Sequence, residues 1–262
     1  MIIKLKKIIY PYYFEFKLLS MSGYDDKTEI LTEKGWIFLK DLTVEHKVAT
    51  LINSEELLYE HPLIIKEHNY SGKMYLLETS NINLCMTPNN NVWISHDSGI
   101  FKLISVDKIF SKQVKYQKNI IKYLEKNTKV FYKILLECGK DNDLSRFKTS
   151  RVLDIMAKTS QPHLMYHNIL LELSQTEQKS KTDISDHFQR LALHVGLSMN
   201  IENMENNISI LKIISKNKII VNKDFQQDKW IDYSGKIYTC QVSSGVVYLR
   251  RNGIPIFSGV EI

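Results

Sequence analysis

A six-residue phrase occurs twice in this chain and restricts its fold more than any other sequence feature. Tyr-Ser-Gly-Lys-Met-Tyr begins at Tyr70 and Tyr-Ser-Gly-Lys-Ile-Tyr begins at Tyr233, 163 residues apart (233 − 70). Each copy leads into residues of alternating polarity, which is the pattern of a half-buried strand. A chance recurrence of a common turn-and-strand phrase is the alternative. We expect instead two related β halves that meet in space, with a turn at Ser71–Gly72 in the first copy.

Short strands separated by turns surround both copies of the hexamer. Gly35 is expected to turn the chain between two strands, and Pro88 followed by Asn89–Asn91 interrupts another strand. After the second copy, Ser243–Gly245 predicts a hairpin and Arg251–Gly253 predicts a further turn. A sheet of two or three strands leaves edges and one apolar face exposed, so neither β part can close a fold alone. The two parts are therefore expected to complete each other.

The middle of the chain has a different pattern, rich in lysine and with helical periodicity. In DISDHFQRLALHVGLS, apolar residues recur at three- and four-residue steps from Ile184 to Val195, which predicts an amphipathic helix. Asp183 is expected to cap its start and Gly196 to end it. We interpret residues 115–228 as a mixed α/β segment inserted between the two β parts. An insertion of this length adds little loop-closure entropy.

Composition sets few further limits. A hydrophobic share of 44% and 14 tyrosines fit a β-rich globular protein. The net charge of +6 allows a polyanionic partner without requiring one. The three cysteines, Cys85, Cys138 and Cys240, form no CxxC pair, which indicates a reduced, intracellular setting. No histidine has zinc-ligand spacing, and the amino terminus lacks an uninterrupted apolar run, so we interpret it as a strand-like or poorly ordered leader.

The two outer segments resemble the Hint domain of inteins, which are self-splicing protein elements. The resemblance rests on three phrases, YDDKTEILTEKGWIFLKDLTVEHKVATL, MYLLETSNINLCMTPNNNVWIS and YSGKIYTCQVSSGVVYLRRNGIPIFSGV, which cover most of residues 24–94 and 230–260. It implies a mostly β fold of two related subdomains, horseshoe-like and pseudo-two-fold symmetric, interrupted by an α/β insert. It also explains the repeated hexamer, since each subdomain carries its own copy.

The middle segment resembles, more weakly, the LAGLIDADG homing endonuclease that inteins often carry as an insert. The phrases concerned are DISDHFQRLALHVGLSMNI and FYKILLECGKDNDLSRFKTS. Together the resemblances divide the chain into four parts. These are a leader or host remnant over 1–22, the first Hint part over 23–114, a degenerate endonuclease-like insert over 115–228, and the second Hint part over 229–262.

The upstream positions lack most of the groups that protein splicing needs. The resemblance expects a Cys or Ser at the first position, which falls at Gly23, or at Ser22 if one residue is inserted. Glycine carries no nucleophile. The resemblance also expects a threonine and a histidine that strain and protonate the first amide. These positions hold Thr87 and Asn90, and an amide side chain cannot shuttle a proton near neutral pH.

The downstream positions are altered in the same way. The position of an activating Cys or Asp holds Thr239, while Cys240 is expected to face the other way because strand side chains alternate. The terminal asparagine position holds Val260, which cannot cyclise, and Glu261 stands where an acceptor is expected. The prediction is an intein-derived element that does not complete splicing. Such an element needs no cofactor for splicing, has flanking host-protein sequence as its partner, has no membrane association, and is monomeric.

The endonuclease positions are also incomplete. Glu137 and Asp141 are the candidate ligands for Mg²⁺ if any endonuclease activity survives, but the second carboxylate-bearing helix that such a site needs is not visible. The basic stretch with Lys112, Lys115 and Lys118 could hold DNA phosphates or form a solvated face. A DNA-binding module without catalysis is therefore the alternative function. An unrelated β-rich structural protein is the third interpretation.

Overall fold

The computed structural model describes residues 21–96, 99–120, 181–204, 208–214, 218–221 and 227–260. Within these ranges the chain is mostly β, as predicted, and none of its helices is long and apolar enough to cross a membrane. The strands are β1 (Thr28–Thr32), β2 (Gly35–Phe38), β3 (Val48–Ile52), β4 (Glu56–Glu60), β5 (Ile64–Glu78), β6 (Asn83–Met86), β7 (Asn91–Ser95), β8 (Phe101–Ser105), β9 (Val114–Gln117), β10 (Ser198–Met204), β11 (Ile208–Ile214), β12 (Lys218–Val221), β13 (Asp228–Gln241), β14 (Val246–Arg251) and β15 (Ile254–Gly259). Among the described residues the α-helix is α1 (Lys181–His194), and two short 3-10 helices span Leu39–Asp41 and Val106–Lys108.

The two copies of the hexamer pair with each other. They lie in β5 and β13, which run antiparallel through fourteen consecutive residue pairs. Ser71 lies directly opposite Ser234, its counterpart in the other copy, and each initial tyrosine lies opposite the glycine of the other copy. Exchanging the two copies therefore maps this ladder onto itself, as a pseudo-two-fold axis between the two serines requires. The two outer parts form one shared β body, as predicted.

The two copies also make the same local contacts. The Tyr70 hydroxyl donates to the Lys73 carbonyl at 2.8 Å, and the Tyr233 hydroxyl donates to the Lys236 carbonyl at 2.7 Å. In each copy the tyrosine ring covers the glycine two residues later, where an added Cβ would lie 3.0 Å from the tyrosine oxygen. The hexamer therefore has glycine at this position because the tyrosine ring occupies the space that a side chain would fill.

The predicted turns have different outcomes. The turn at Ser71–Gly72 is wrong, because both residues lie in the middle of β5 and the pairing with β13 holds them extended. The turns at Gly35 and at Asn252–Gly253 are confirmed, and the second has φ of 49° and 75°, as in a type I′ hairpin. Ser243–Gly245 is a turn but not a hairpin, because β13 pairs with β5 whereas β14 pairs with β15.

A six-stranded sheet joins strands from both outer parts. Its order is β15-β14-β1-β3-β4, and β2 pairs with β1. Side chains of this sheet, such as Ile30 and Leu249, share one apolar core with Leu77, Met86 and Tyr238 of the β13-β5-β6 sheet. Because this core needs residues from both ends of the sequence, neither outer part buries its apolar face without the other.

Residues 23–25 close the three-stranded sheet β13-β5-β6. Tyr24 bridges Met86 of β6 on one side and Tyr238 of β13 on the other. The Tyr24 amide donates to the Tyr238 carbonyl at 2.9 Å, and the Tyr238 amide donates back to the Tyr24 carbonyl at 2.9 Å. The sheet thus returns from β6 to β13 through Tyr24, which covers edges that would otherwise be open.

The described part of the middle segment packs onto the shared β body. Leu193 of α1 lies in a core cluster with Leu31 and Trp93 of the first outer part. β9 spans the predicted boundary at residue 115 and pairs with both β7 and β12. The four-part division stays a prediction, but the described residues on either side of this boundary belong to one sheet.

The predicted amphipathic helix is confirmed as α1. It ends as predicted, with Gly196 at φ of 77° and the Leu197 amide donating to the Ala192 carbonyl at 2.8 Å. Its start differs, because the helix already includes Lys181 and Asp183 therefore lies inside it. The predicted start of the helix at Asp183 is therefore wrong.

Candidate functional site

Two of the predicted site residues, Gly23 and Thr87, bond to each other. The Gly23 amide donates to the Thr87 hydroxyl at 3.1 Å, and the Thr87 amide donates to the Gly23 carbonyl at 3.0 Å. Both residues are buried, while Ser22 is half-buried. The Thr87 hydroxyl therefore fixes the peptide between Ser22 and Gly23, which is the upstream junction that the resemblance implies when Gly23 is the first position.

Asn90 links the turn between Thr87 and Asn90 to β15, the last strand. Its amide nitrogen donates to the Thr87 carbonyl at 3.1 Å, and its side-chain Nδ2 donates to the carbonyls of Asn91 at 2.9 Å and Gly259 at 3.2 Å. Its Oδ1 is buried and has no hydrogen-bond partner among the described residues. Asn90 thus orients peptides on both sides of the site by donating, and offers no group that gains or loses a proton near neutral pH.

Val260 is fixed through its backbone and its side chain. Its amide donates to the Gly245 carbonyl at 2.9 Å, and its side chain is fully buried in the main core. Val260 directly follows Gly259, whose carbonyl bonds to Asn90. The structure therefore brings four of the predicted residues to one place, namely Gly23, Thr87, Asn90 and Val260.

Tyr24 is a site residue that the sequence reasoning missed. Its hydroxyl contacts the Gly259 carbonyl at 2.5 Å and the Ser258 hydroxyl at 2.8 Å. The sequence does carry one indication of a role for Tyr24. It directly follows Gly23 on an extended segment, so its ring must pack on one face of that segment. Its partner could not be recognised, because Gly259 lies 235 positions away in the chain.

The glycines at the two junctions are tightly enclosed. A Cβ on Gly23 would lie 3.0 Å from the Tyr238 carbonyl oxygen. A Cβ on Gly259 would lie 2.7 Å from the Asn91 carbonyl oxygen and 2.6 Å from Leu103 Cδ2. Neighbouring atoms must shift before either position accepts a side chain, and the shift is larger at Gly259.

Thr239 does not join the other predicted residues. Cys240 lies in the main core with Tyr24 and Val260, whereas Ile237, on the Thr239 side of β13, belongs to a separate apolar cluster. The Thr239 hydroxyl donates to the Cys240 carbonyl at 3.4 Å. Burial raises the pKa of the Cys240 thiol to about 12, so the thiol stays protonated and unreactive near neutral pH.

The prediction that Lys118 contacts DNA is wrong. Its side chain is fully buried, and Nζ donates to the Asn81 carbonyl at 2.6 Å and to Asn200 Oδ1 at 3.0 Å. A lysine enclosed in this way cannot reach a phosphate. Lys112 is exposed and Lys115 is half-buried, and DNA contact at these two residues stays a prediction.

The predicted metal ligands Glu137 and Asp141 lie outside the described residues, so a Mg²⁺ site there stays a prediction. In the part of the chain that the structure describes, no group of three or more His, Cys, Asp or Glu side chains is placed to hold a metal ion. The phrase FYKILLECGKDNDLSRFKTS also lies outside the described residues.

Lys118 is expected to make the folded protein more stable as the pH rises from 7. Burial lowers the pKa of Lys118 from 10.5 to about 7. Between these values the unfolded chain binds a proton that the folded chain does not, so the stability rises with pH and is lost as the pH falls towards 7. One full proton corresponds to a slope of about 1.4 kcal/mol per pH unit. Urea unfolding at several pH values between 7 and 9 measures this slope.

The variant Lys118→Met isolates this effect, because it removes the titrating group. Its stability is expected to lose the rise with pH, while Lys115→Met serves as the matched control and keeps it. The window ends near pH 9.0, because the raised pKa values of the Cys85 and Cys240 thiols act in the opposite direction above it. The same slope in Lys118→Met and in the parent protein would contradict the assignment.

Comparisons with known proteins give short sequence matches. No model of a known protein family matches the sequence. The chain is 32% identical over 97 residues to an ATP-dependent Clp protease proteolytic subunit of Chlamydomonas moewusii, covering 35% of this chain and 10% of that protein. It is 31% identical over 97 residues to the C-terminal section of a DNA-directed RNA polymerase subunit beta of Stigeoclonium helveticum, covering 34% and 9%. The chain spans about a tenth of the length of these curated relatives.

Two intein structures are similar to this chain at low sequence identity. One is a GSH-linked, splice-inactive variant of the AceL NrdHF class 3 split intein, with a TM-score of 0.42, 10% identity, and coverage of 92% of this chain and 99% of that chain. The other is the KlbA intein precursor from Methanococcus jannaschii, with a TM-score of 0.41, 11% identity, and coverage of 91% and 92%.

Proposed function

We propose that this chain is an intein-derived Hint element that resides in a longer host protein and does not complete splicing. The observation that carries the proposal is the ladder in which Ser71 faces Ser234. It joins the two outer parts into one pseudo-symmetric body, in the way that the sequence resemblance implies. The packing of Gly23, Thr87 and Val260 around one turn supports the same interpretation, because splicing requires both junctions to meet.

The residues at the site support a loss of splicing. Gly23 has no atom that could attack the preceding carbonyl. Asn90 donates hydrogen bonds to carbonyls but cannot shuttle a proton. Val260 has no side-chain nitrogen with which to cyclise. Because these three steps lack their reacting groups independently, a single substitution is not expected to restore the reaction.

The short matches to much longer proteins support a host of greater length. Each match covers about a tenth of a Clp protease subunit or an RNA polymerase subunit. We infer that flanking host sequence is the partner of this element. For the middle segment we propose descent from a LAGLIDADG endonuclease, which the phrase at α1 supports. The alternative function is DNA binding. A salt-dependent electrophoretic mobility shift of a duplex of about 30 base pairs would favour it.

Placing the full chain between two reporter domains tests the proposal. We expect a denaturing gel to show only the unprocessed fusion after long incubation, while an active intein between the same reporters gives the ligated product. Ser22→Ala is the matched variant for the upstream junction. A fragment that disappears in this variant would assign residual cleavage to Ser22. Ligated reporters would refute the loss of splicing.

A further inference from the structure

The carbonyl oxygen of Gly259 accepts hydrogen bonds from two buried side chains. Tyr24 Oη lies 2.5 Å from it and Asn90 Nδ2 lies 3.2 Å from it. A backbone carbonyl is most often bonded by another backbone group or by water. Here the two donors come from segments far apart in the sequence and converge on one oxygen next to Val260.

The geometry of Tyr24 makes it a fixed donor. Its backbone amide and carbonyl both bond to the backbone of Tyr238, so the Cα that carries the ring is held in place. A tyrosine hydroxyl has one proton, and Tyr24 therefore donates to the Gly259 carbonyl while it accepts from the Ser258 hydroxyl at 2.8 Å. Burial raises the pKa of Tyr24, so the donor stays protonated wherever the protein is folded near neutral pH.

The backbone around Gly259 is fixed on its other sides as well. The Val260 amide donates to the Gly245 carbonyl at 2.9 Å, and Gly259 Cα faces the Asn91 carbonyl and Leu103 with no room for a Cβ. The peptide between Gly259 and Val260 is thus held through its oxygen, its nitrogen and its neighbouring Cα. Of these contacts, the bond from Tyr24 connects it directly to the segment that carries Gly23.

We propose that Tyr24 is the positioning residue of the junction site, which holds the Gly259–Val260 peptide against the segment of Gly23. We name Tyr24, Asn90 and the Gly259 carbonyl the end clasp. The inference rests on the proposed function, because it gives a role to the place where the two junctions meet. The end clasp ties the segments that lead into and out of the fold. A host chain then enters and leaves at neighbouring points, as in tolerated domain insertions.

Amide hydrogen exchange on the full chain, followed by NMR, tests the end clasp. In Tyr24→Phe, we expect the Val260 amide to exchange about tenfold faster relative to the central amides of the β5–β13 ladder. Tyr248→Phe is the matched control, because the Tyr248 hydroxyl is also buried and donates elsewhere, to the Lys118 carbonyl at 3.1 Å. It is expected to leave the Val260 ratio unchanged. An equal acceleration of all amides in Tyr24→Phe, or no change at Val260, would overturn the proposal.

A measurement on the unsubstituted protein covers the case in which Tyr24→Phe does not fold. We expect a slowly exchanging Tyr24 hydroxyl proton with a nuclear Overhauser effect to the Gly259 α-protons, and its absence would overturn the proposal. The outcome is separable from that of the reporter fusion. Ligated reporters would refute the loss of splicing with the end clasp intact, whereas unchanged Val260 exchange would refute the end clasp in an inactive element.

Discussion

Replacing Gly253 with alanine is expected to lower the free energy of unfolding by about 3 kcal/mol. Its φ of 75° costs an L residue about 1 kcal/mol. An added Cβ would also lie 2.1 Å from the Ile201 carbonyl oxygen, so β10 would have to move away. That movement breaks the bond from the Ile201 amide to the Gly253 carbonyl at 2.9 Å and weakens the bond from Gln189 to the same oxygen at 3.0 Å. Urea unfolding followed by tryptophan fluorescence measures the loss.

Gly99→Ala is the matched control for this prediction. Gly99 has nearly the same φ, 74°, but no heavy atom lies within 4 Å of an added Cβ. Its replacement is therefore expected to cost only the backbone strain, about 1 kcal/mol. The difference between the two variants reports the contact between Gly253 and β10. Equal costs would contradict a close approach of β10 to this turn.

The shared β body could be predicted from the sequence because its signal is a repeat. Two copies of one phrase indicate a symmetric relation whatever each copy prefers locally, and the pairing of Ser71 with Ser234 follows that relation. The local conformation of the same residues was predicted wrongly. Ser71–Gly72 favours a turn within a short window, but the partner strand lies outside that window and decides the conformation.

Site residues that belong to a recognisable sequence motif could be predicted. Residues whose surroundings depend on segments distant in the sequence could not. Thr87 and Asn90 belong to a recognisable turn, and the structure places Thr87 against Gly23 and Asn90 against Gly259. Lys118 was assigned to DNA from its charge alone. Lys118 directly follows β9, and only the positions of distant segments, which supply its partners Asn81 and Asn200, show that its side chain is enclosed.

Replacing Arg250 with methionine is expected to lower the free energy of unfolding by about 3–5 kcal/mol. The Arg250 side chain is 7% exposed and connects three elements. Its Nε donates to Glu29 Oε2 at 2.7 Å, its Nη1 donates to Asp186 and Gln189 of α1, and its guanidinium lies 4.5 Å from the ring centroid of Trp36. Methionine fills much of the volume but leaves two partly buried carboxylates without a cation. Urea unfolding gives the cost, and far-UV circular dichroism reports whether α1 keeps its helical structure.

Two further variants separate the unpaired charge from the lost volume. Arg250→Met combined with Glu29→Gln and Asp186→Asn is expected to recover most of the lost stability, because neutral groups then replace the buried ion pairs. Lys73→Met removes an exposed pair with Asp232, joined at 2.8 Å with side chains 59% and 87% exposed, and is expected to cost less than about 0.5 kcal/mol. If Arg250→Met costs no more than Lys73→Met, Arg250 does not hold α1 to the body.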